Sequence, residues 1–221
     1  MSSERTVLLS ISYFGPVQYF TKFLRYPDRI IERYGHYTKQ TYRNRCIIYG
    51  ANGPLTLSIP VFRGRQHKTI VRDIRIDYSK NWRKLHWKGI ESAYRHSPFF
   101  EFFMDDIHAF LEKEYVYLLE LNQEILDYML RSLEIDGAYD LTDEYIDAGK
   151  EQFTDCREII HPKNDPGKDG SFRAEPYQQV FSDRFEFQGN LSIIDLLCNE
   201  GPNARTVLEK SIHRAHTEED P

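Results

Sequence analysis

No run of about 18 apolar residues occurs in this sequence, and the amino terminus lacks the basic patch, apolar stretch and small-residue cleavage site of a secretory signal. Neither a membrane span nor export is therefore expected, and the chain reads as cytoplasmic. Cysteine is scarce: Cys46, Cys156 and Cys198 are odd in number and far apart. This excludes a disulfide framework and the CxxC pairs of a zinc site, leaving each as a small apolar core residue. Also missing are GxGxxG, GxxxxGK[ST], GxSxG, HExxH and a DxD at a strand end. Most familiar enzyme classes lose ground, no metal site is indicated, and no cofactor can be named.

What is present is ample material for a core. Of 221 residues, 40% are hydrophobic and 14% aromatic, with 15 Tyr and 14 Phe. Large rings bury much area in few residues, so one domain over residues 1–210 is expected, with 211–221 as a frayed tail. The net charge of −5 conceals a split. Residues 36–96 hold 13 basic against 3 acidic side chains, and residues 97–221 hold 11 against 28. Such a division suits either a surface for a small anionic ligand, such as a sugar nucleotide, or two solvated faces of one globule. Basic residues interleave with Tyr and Trp from Tyr37 to Trp87, as in nucleic-acid binders. An isoelectric point near 5.9, the lack of an RNP, KH or helix-turn-helix pattern and the acidic half weigh against that partner.

Periodicity places the elements. Val7–Ile11 is a short apolar run before Gly15-Pro16 and predicts a buried strand, and Val17–Leu24 predicts a helix ended by Tyr26-Pro27. Arg45–Tyr49 and Leu55–Val61 flank GANGP, a hairpin whose Asn52-Gly53 supplies the positive φ. FRGRQHKTI reads as a loop and Ile70–Ile76 as a third strand. Helices are expected over 80–96, 99–112, 115–135 and 192–213, the last interrupted by Gly201-Pro202. Strands followed by helices give a mixed α/β class: a small β-sheet with a hairpin, covered by a group of α-helices.

Four segments, FGPVQYFTKF, QTYRNRCIIYGANGPLTLSIPV, IRIDYSKNWRKLHWKGIESAYRHSPFFEFF and PYQQVFSDRFEFQGNLSIIDLLCNEGPNA, are similar in order and spacing to the WbqC-like family. Where many members carry a His-Gln-Pro-x-Tyr-x-Pro-Trp-like start, this chain has Ser12-Tyr13-Phe14-Gly15-Pro16-Val17-Gln18-Tyr19, so a histidine role there is absent. The resemblance implies a part in O-antigen or other surface-glycan biosynthesis: modification of a nucleotide- or lipid-linked sugar, or transfer of a small acyl or aminoacyl group.

The residues themselves offer several candidates. Lys39, Arg43, Asn44 and Arg45 combine guanidinium forks for phosphate or carboxylate with an amide for a sugar edge. On a strand, however, Arg43 and Arg45 would share one face and Asn44 the other, and the bland alternative is a charged edge strand. Trp82 and His86, four apart, put a stacking ring beside an imidazole able to exchange a proton, or else form part of the core. Gln18 and Tyr19 follow the Gly15-Pro16 turn and line a pocket or simply pack the turn. His161-Pro162-Lys163 adds an imidazole and a cation to that pocket or belongs to a solvated loop. Asp195, between apolar neighbours, needs a partner and is expected to find an Arg or His of the basic half. The resulting expectation is a transferase with His86 as acid/base and Gln18, Tyr19, Lys39, Asn44, Arg45, Trp82 and Asp195 around the substrate. The alternative is a non-catalytic scaffolding partner of a glycan-assembly complex. Oligomeric state is not set by the sequence.

Overall fold

The computed structural model describes residues 6–62 and 69–213. In chain order the strands are β1 (Thr6–Ser10), β2 (Arg29–Glu32), β3 (Arg45–Gly50), β4 (Gly53–Ser58), β5 (Asp140–Leu141) and β6 (Phe153–Asp155). The α-helices are α1 (Val17–Arg25), α2 (Trp82–Tyr94), α3 (Phe100–Glu112), α4 (Leu118–Ser132), α5 (Ile193–Glu200) and α6 (Ala204–Lys210). The class is mixed α/β, as expected.

Val7, Leu8 and Leu9 are fully buried, so β1 needs cover on both faces, the situation of an interior strand in a parallel sheet. It pairs in parallel with β2 on one edge, Val7 opposite Arg29, and with β6 on the other, Thr6 opposite Phe153. β5 continues the sheet beyond β2 to give the order β5-β2-β1-β6. The hairpin β3-β4 forms a separate antiparallel sheet, contrary to the expectation of one sheet holding β1 and both hairpin strands. Its positive φ falls on Gly53 (104°), which follows the Ala51-Asn52 loop.

Ile70–Ile76 is not a strand. Val71–Asp73 is a 3₁₀ turn flanked by single bridges, Ile70 to His36 and Ile76 to Val61. Ile70, Ile74 and Ile76 share one parity and so imitate strand alternation, but Val71 and Ile74 are buried three residues apart, one turn of such a helix. β2, β5 and β6 were not anticipated: four, two and three residues carry too little pattern, and distant partners decide their conformation.

One apolar cluster runs from Val7 to Leu208. The hairpin lies on α2, where Gly89 permits the approach: a Cβ there would stand 3.2 Å from Leu57 Cδ2. Ser192, the N-cap of α5, ties three segments together: its hydroxyl donates to the Phe14 carbonyl at 2.8 Å and its N–H to Ile47 O at 2.7 Å. All three cysteines are free and buried. The expected loop at Phe62–Ile70 lies mostly outside the described residues, as does the tail from 214. Within the tail, Ser211 is buried and Ile212 bridges Phe172. No helix among the described residues is long and apolar enough to cross a membrane.

Candidate functional site

In an open parallel sheet, ligand crevices form outside the carboxyl ends of the strands where successive connections leave in opposite directions. From β1 the chain passes through α1 to β2 on one side, whereas β6 is added on the other side of β1, so the reversal lies between β1 and β6. A small cavity of about 10 Å³ occupies that position. Its walls include Ser10 at the end of β1 and Ser12 beyond it, Cys156 and Arg157 after β6, and Tyr19 and Arg43. It has room for one water-sized group.

The segment leading into β3 closes this cavity, and its backbone is fixed from several sides. Asn122 of α4, fully buried, donates from Nδ2 to the Arg43 carbonyl at 2.7 Å, and the Tyr13 N–H donates to Tyr42 O at 2.8 Å. Asn44 Nδ2 donates to Ile59 O, and the Ile59 N–H donates back to Asn44 O, both at 2.8 Å. β3 begins at Arg45, as expected, so strand alternation does not apply to residues 41–44, and Arg43 and Arg45 do not share one face. Arg43 lines the inner cavity. Asn44 and Arg45 line a different hollow of about 340 Å³, together with Lys39, Asp77 and Lys80.

The two hollows differ in charge and saturation. In the outer one, three cations face one carboxylate, and Asp77 is engaged: bonds from Ser79 hold its carboxyl below the usual range, and Ser79 N–H lies 2.8 Å from Oδ1. Among the described residues, Arg45 Nε and Asn44 Oδ1 have no hydrogen-bond partner. In the inner cavity Arg43, 7% exposed, donates from Nη2 to Ser10 Oγ at 2.7 Å, while its Nε has no partner among the described residues. Burial pulls its pKa down, and the nearby Glu158 partly opposes this. Arg157 across the cavity is saturated. Its Nε and Nη2 donate to Asp155 at 2.9 and 2.6 Å, and its Nη1 to Ile146 O at 2.7 Å and Glu32 at 3.3 Å.

A third hollow of about 530 Å³ shares the Tyr42 wall with the inner cavity and is lined by Ile47, Pro162, Phe172, Arg173 and Leu191 among others. His161, just outside, accepts the Lys163 N–H at Nδ1 (3.1 Å). Its pKa is lowered chiefly by burial, with Glu158 opposing and Lys163, Arg43 and Arg45 reinforcing.

The remaining candidates lie elsewhere. Gln18 is a strut: its Nε2 donates to Asp169 at 2.8 Å, its Oε1 accepts from Asn190 at 3.1 Å, and its N–H reaches Asn190 Oδ1 at 2.9 Å. His86 is buried under the hairpin, 2.9 Å from the Tyr13 hydroxyl through Nδ1 and hydrogen-bonded to the Ser58 backbone. Burial lowers its pKa to about 4, so the ring is neutral at pH 7. Trp82 packs edge-on against it, centroids 5.1 Å apart. Neither lines any of these hollows. Asp195 does not meet an Arg or His as expected. Its Oδ2 accepts from Tyr177 (2.7 Å) and Gln179 (2.9 Å), neutral donors from the segment before α5, and burial raises its pKa. Among the described residues no three His, Cys, Asp or Glu side chains are grouped to hold a metal ion.

Sequence reasoning missed three supports. Lys22, fully buried in α1, pairs with Asp169 and donates to Ser171 Oγ at 2.6 Å. Glu32 gathers Arg157, Thr142 and two backbone N–H groups at the end of β2. Asn122 sits one turn from Leu118 and close to Ile125 on the buried face of α4, and a polar residue on an apolar stripe was the available signal.

The fold and these crevices define an open α/β protein with a water-sized cavity at the reversal of its parallel sheet and larger hollows lined by other segments. The family model described as "WbqC-like protein family" matches residues 12–161, from Ser12 beside the inner cavity to His161, and the chain belongs to that family. It is also 31% identical over 117 residues to "Uncharacterized protein Rv1507c" of Mycobacterium tuberculosis, a stretch covering 52% of this chain and 47% of that protein. The chain thus spans about half the length of this curated relative. No solved structure matches.

Proposed function

We propose that this chain acts in bacterial surface-polysaccharide assembly, as a transferase whose anionic sugar substrate, nucleotide- or lipid-linked, binds the outer hollow. The observation that carries this reading is the excess of cations there: Lys39, Arg45 and Lys80 against an engaged Asp77, in a concavity of about 340 Å³. That volume is within the range of small-molecule sites. Arg45 and Lys39 supply donors for phosphate oxygens, and Asn44 Oδ1 supplies an acceptor for a sugar hydroxyl. Membership of the family supports the glycan context. We assign no proton transfer to His86, which is buried away from this hollow.

Titration with a uridine diphosphate sugar tests the reading. Saturation at 100 times Kd should add about 2.7 kcal/mol to the unfolding free energy. Arg45→Ala should abolish the response and leave the unliganded protein as stable as before. A flat response of the wild-type chain to nucleotide sugars and lipid-linked sugar phosphates would sink it in favour of a scaffold. That role would draw on exposed apolar side chains such as Leu85 and Phe102.

A further inference from the structure

We infer that the inner cavity between β1 and β6 is a second binding site, separate from the cationic hollow, and that it takes one carboxylate oxygen of a small organic acid, held by Arg43 and Tyr19. The starting point is a comparison of the buried cations. Lys22 has Asp169 and Ser171. Arg29 donates to the carbonyls of Tyr26 (2.8 Å), Asp136 (3.0 Å) and Ala138 (3.1 Å). Arg157 has Asp155, Glu32 and Ile146. Arg43 has the Ser10 hydroxyl, and no carboxylate of the described residues lies within ion-pair distance of it. Glu32 and Asp155, the carboxylates at that end of the sheet, are engaged by Arg157; Glu158 acts on Arg43 through space without bonding to it.

A second donor in the same wall is also unsatisfied. Tyr19, 2% exposed, has no partner for its hydroxyl among the described residues. Two buried donors, one carrying a positive charge, call for a group that only accepts and is itself negative. A water molecule answers the hydrogen bonds but leaves the charge uncompensated. Size separates the anions: about 10 Å³ admits a single oxygen. Only the tip of an anion enters, so its remaining atoms stay at the mouth. A planar carboxylate leaves one carbon and one oxygen there, a tetrahedral phosphoryl group a phosphorus and at least two oxygens, and the carboxylate needs the smaller opening. Tyr42 also lines the 530 Å³ hollow with Ile47, Pro162, Phe172 and Leu191, which is the neighbouring space for an apolar carbon skeleton once the Tyr42 side chain gives way.

The inference does not rest on the glycan reading, because the inner cavity and the outer hollow share no lining residue. The test uses the full chain, with sodium butyrate and inorganic phosphate as probes at constant ionic strength, read by calorimetric titration and thermal unfolding. Butyrate should bind and raise the Tm. Tyr19→Phe should weaken butyrate about tenfold with an unchanged unliganded Tm, since the lost hydroxyl has no partner. Arg43→Met should abolish the response without lowering the unliganded Tm, and Arg45→Ala should keep the butyrate response while losing that to nucleotide sugars. The inference is overturned if butyrate does nothing to the wild type, if phosphate protects Arg45→Ala as well as butyrate does, or if Tyr19→Phe binds butyrate normally. It also fails if a butyrate-soaked crystal shows water alone beside Arg43.

Discussion

Two regions flank the amino-terminal turn, and their polar groups are treated in opposite ways. Along α1, Gln18 and Lys22 are buried and fully engaged through Asp169, Ser171 and Asn190, with the Tyr19 hydroxyl between them the exception among the described residues. In the segment leading into β3, Arg43 Nε, Asn44 Oδ1 and Arg45 Nε have no partner among the described residues, although the backbone there is pinned by Asn122, Tyr13 and Ile59. A buried polar group without a partner is costly, so a rigid segment that accumulates three of them is organised for something other than stability. Saturated polar groups hold the fold; the unsaturated ones of this segment are those on which both proposed sites are built.

The widest gap between the two regions should come from Asp169→Ala. It strands the Lys22 charge at 0% exposure and should cost about 3–5 kcal/mol in urea unfolding at pH 7. A loss below about 1 kcal/mol would remove the contrast. The buried Tyr13–His86 pair gives the next effect. The folded pKa of His86, about 4, lies below its unfolded value near 6.5, so the unfolded chain binds the extra proton. Stability should therefore fall by about 3 kcal/mol as the pH drops from about 7 to 4, and His86→Gln should flatten that part of the curve. Arg157→Met, which leaves Glu32 short of a partner, should cost about 2 kcal/mol, against less than about 1 kcal/mol for Arg43→Met. Equal losses in paired denaturation curves would show that the two guanidinium groups are alike. Smallest of all, Arg45→Ala should change stability by less than about 0.5 kcal/mol while eliminating nucleotide-sugar binding.

Periodicity made much of this architecture readable: β1, α1, the hairpin and the helices α2 to α6 each carry their pattern locally. The parallel sheet was not readable, because RIIE, DL and FTD become strands only through partners more than a hundred positions away in two of the cases. The cationic outer hollow was visible as composition in Lys39, Asn44 and Arg45. The inner cavity was not, since nothing local in TYRNR tells that Arg43 turns inward while Asn44 and Arg45 face another hollow. Lys22 is instructive: a lone cation in VQYFTKFL advertises a buried partner, but Asp169, which answers it, is 147 residues on. Asp195 carried the same signal, and its neutral partners Tyr177 and Gln179 could not have been chosen over an arginine without coordinates.

The pairing of Thr6 with Phe153 also bears on how the molecule is made. A ribosome adding about 5–20 residues per second needs roughly 7–30 s to travel from one to the other. Throughout that interval β1 can acquire β2 but offers its other rim, with the oily Val7-Leu8-Leu9, to any extended stranger nearby. The local hairpin can close meanwhile, so the nascent chain is most vulnerable to clumping along β1.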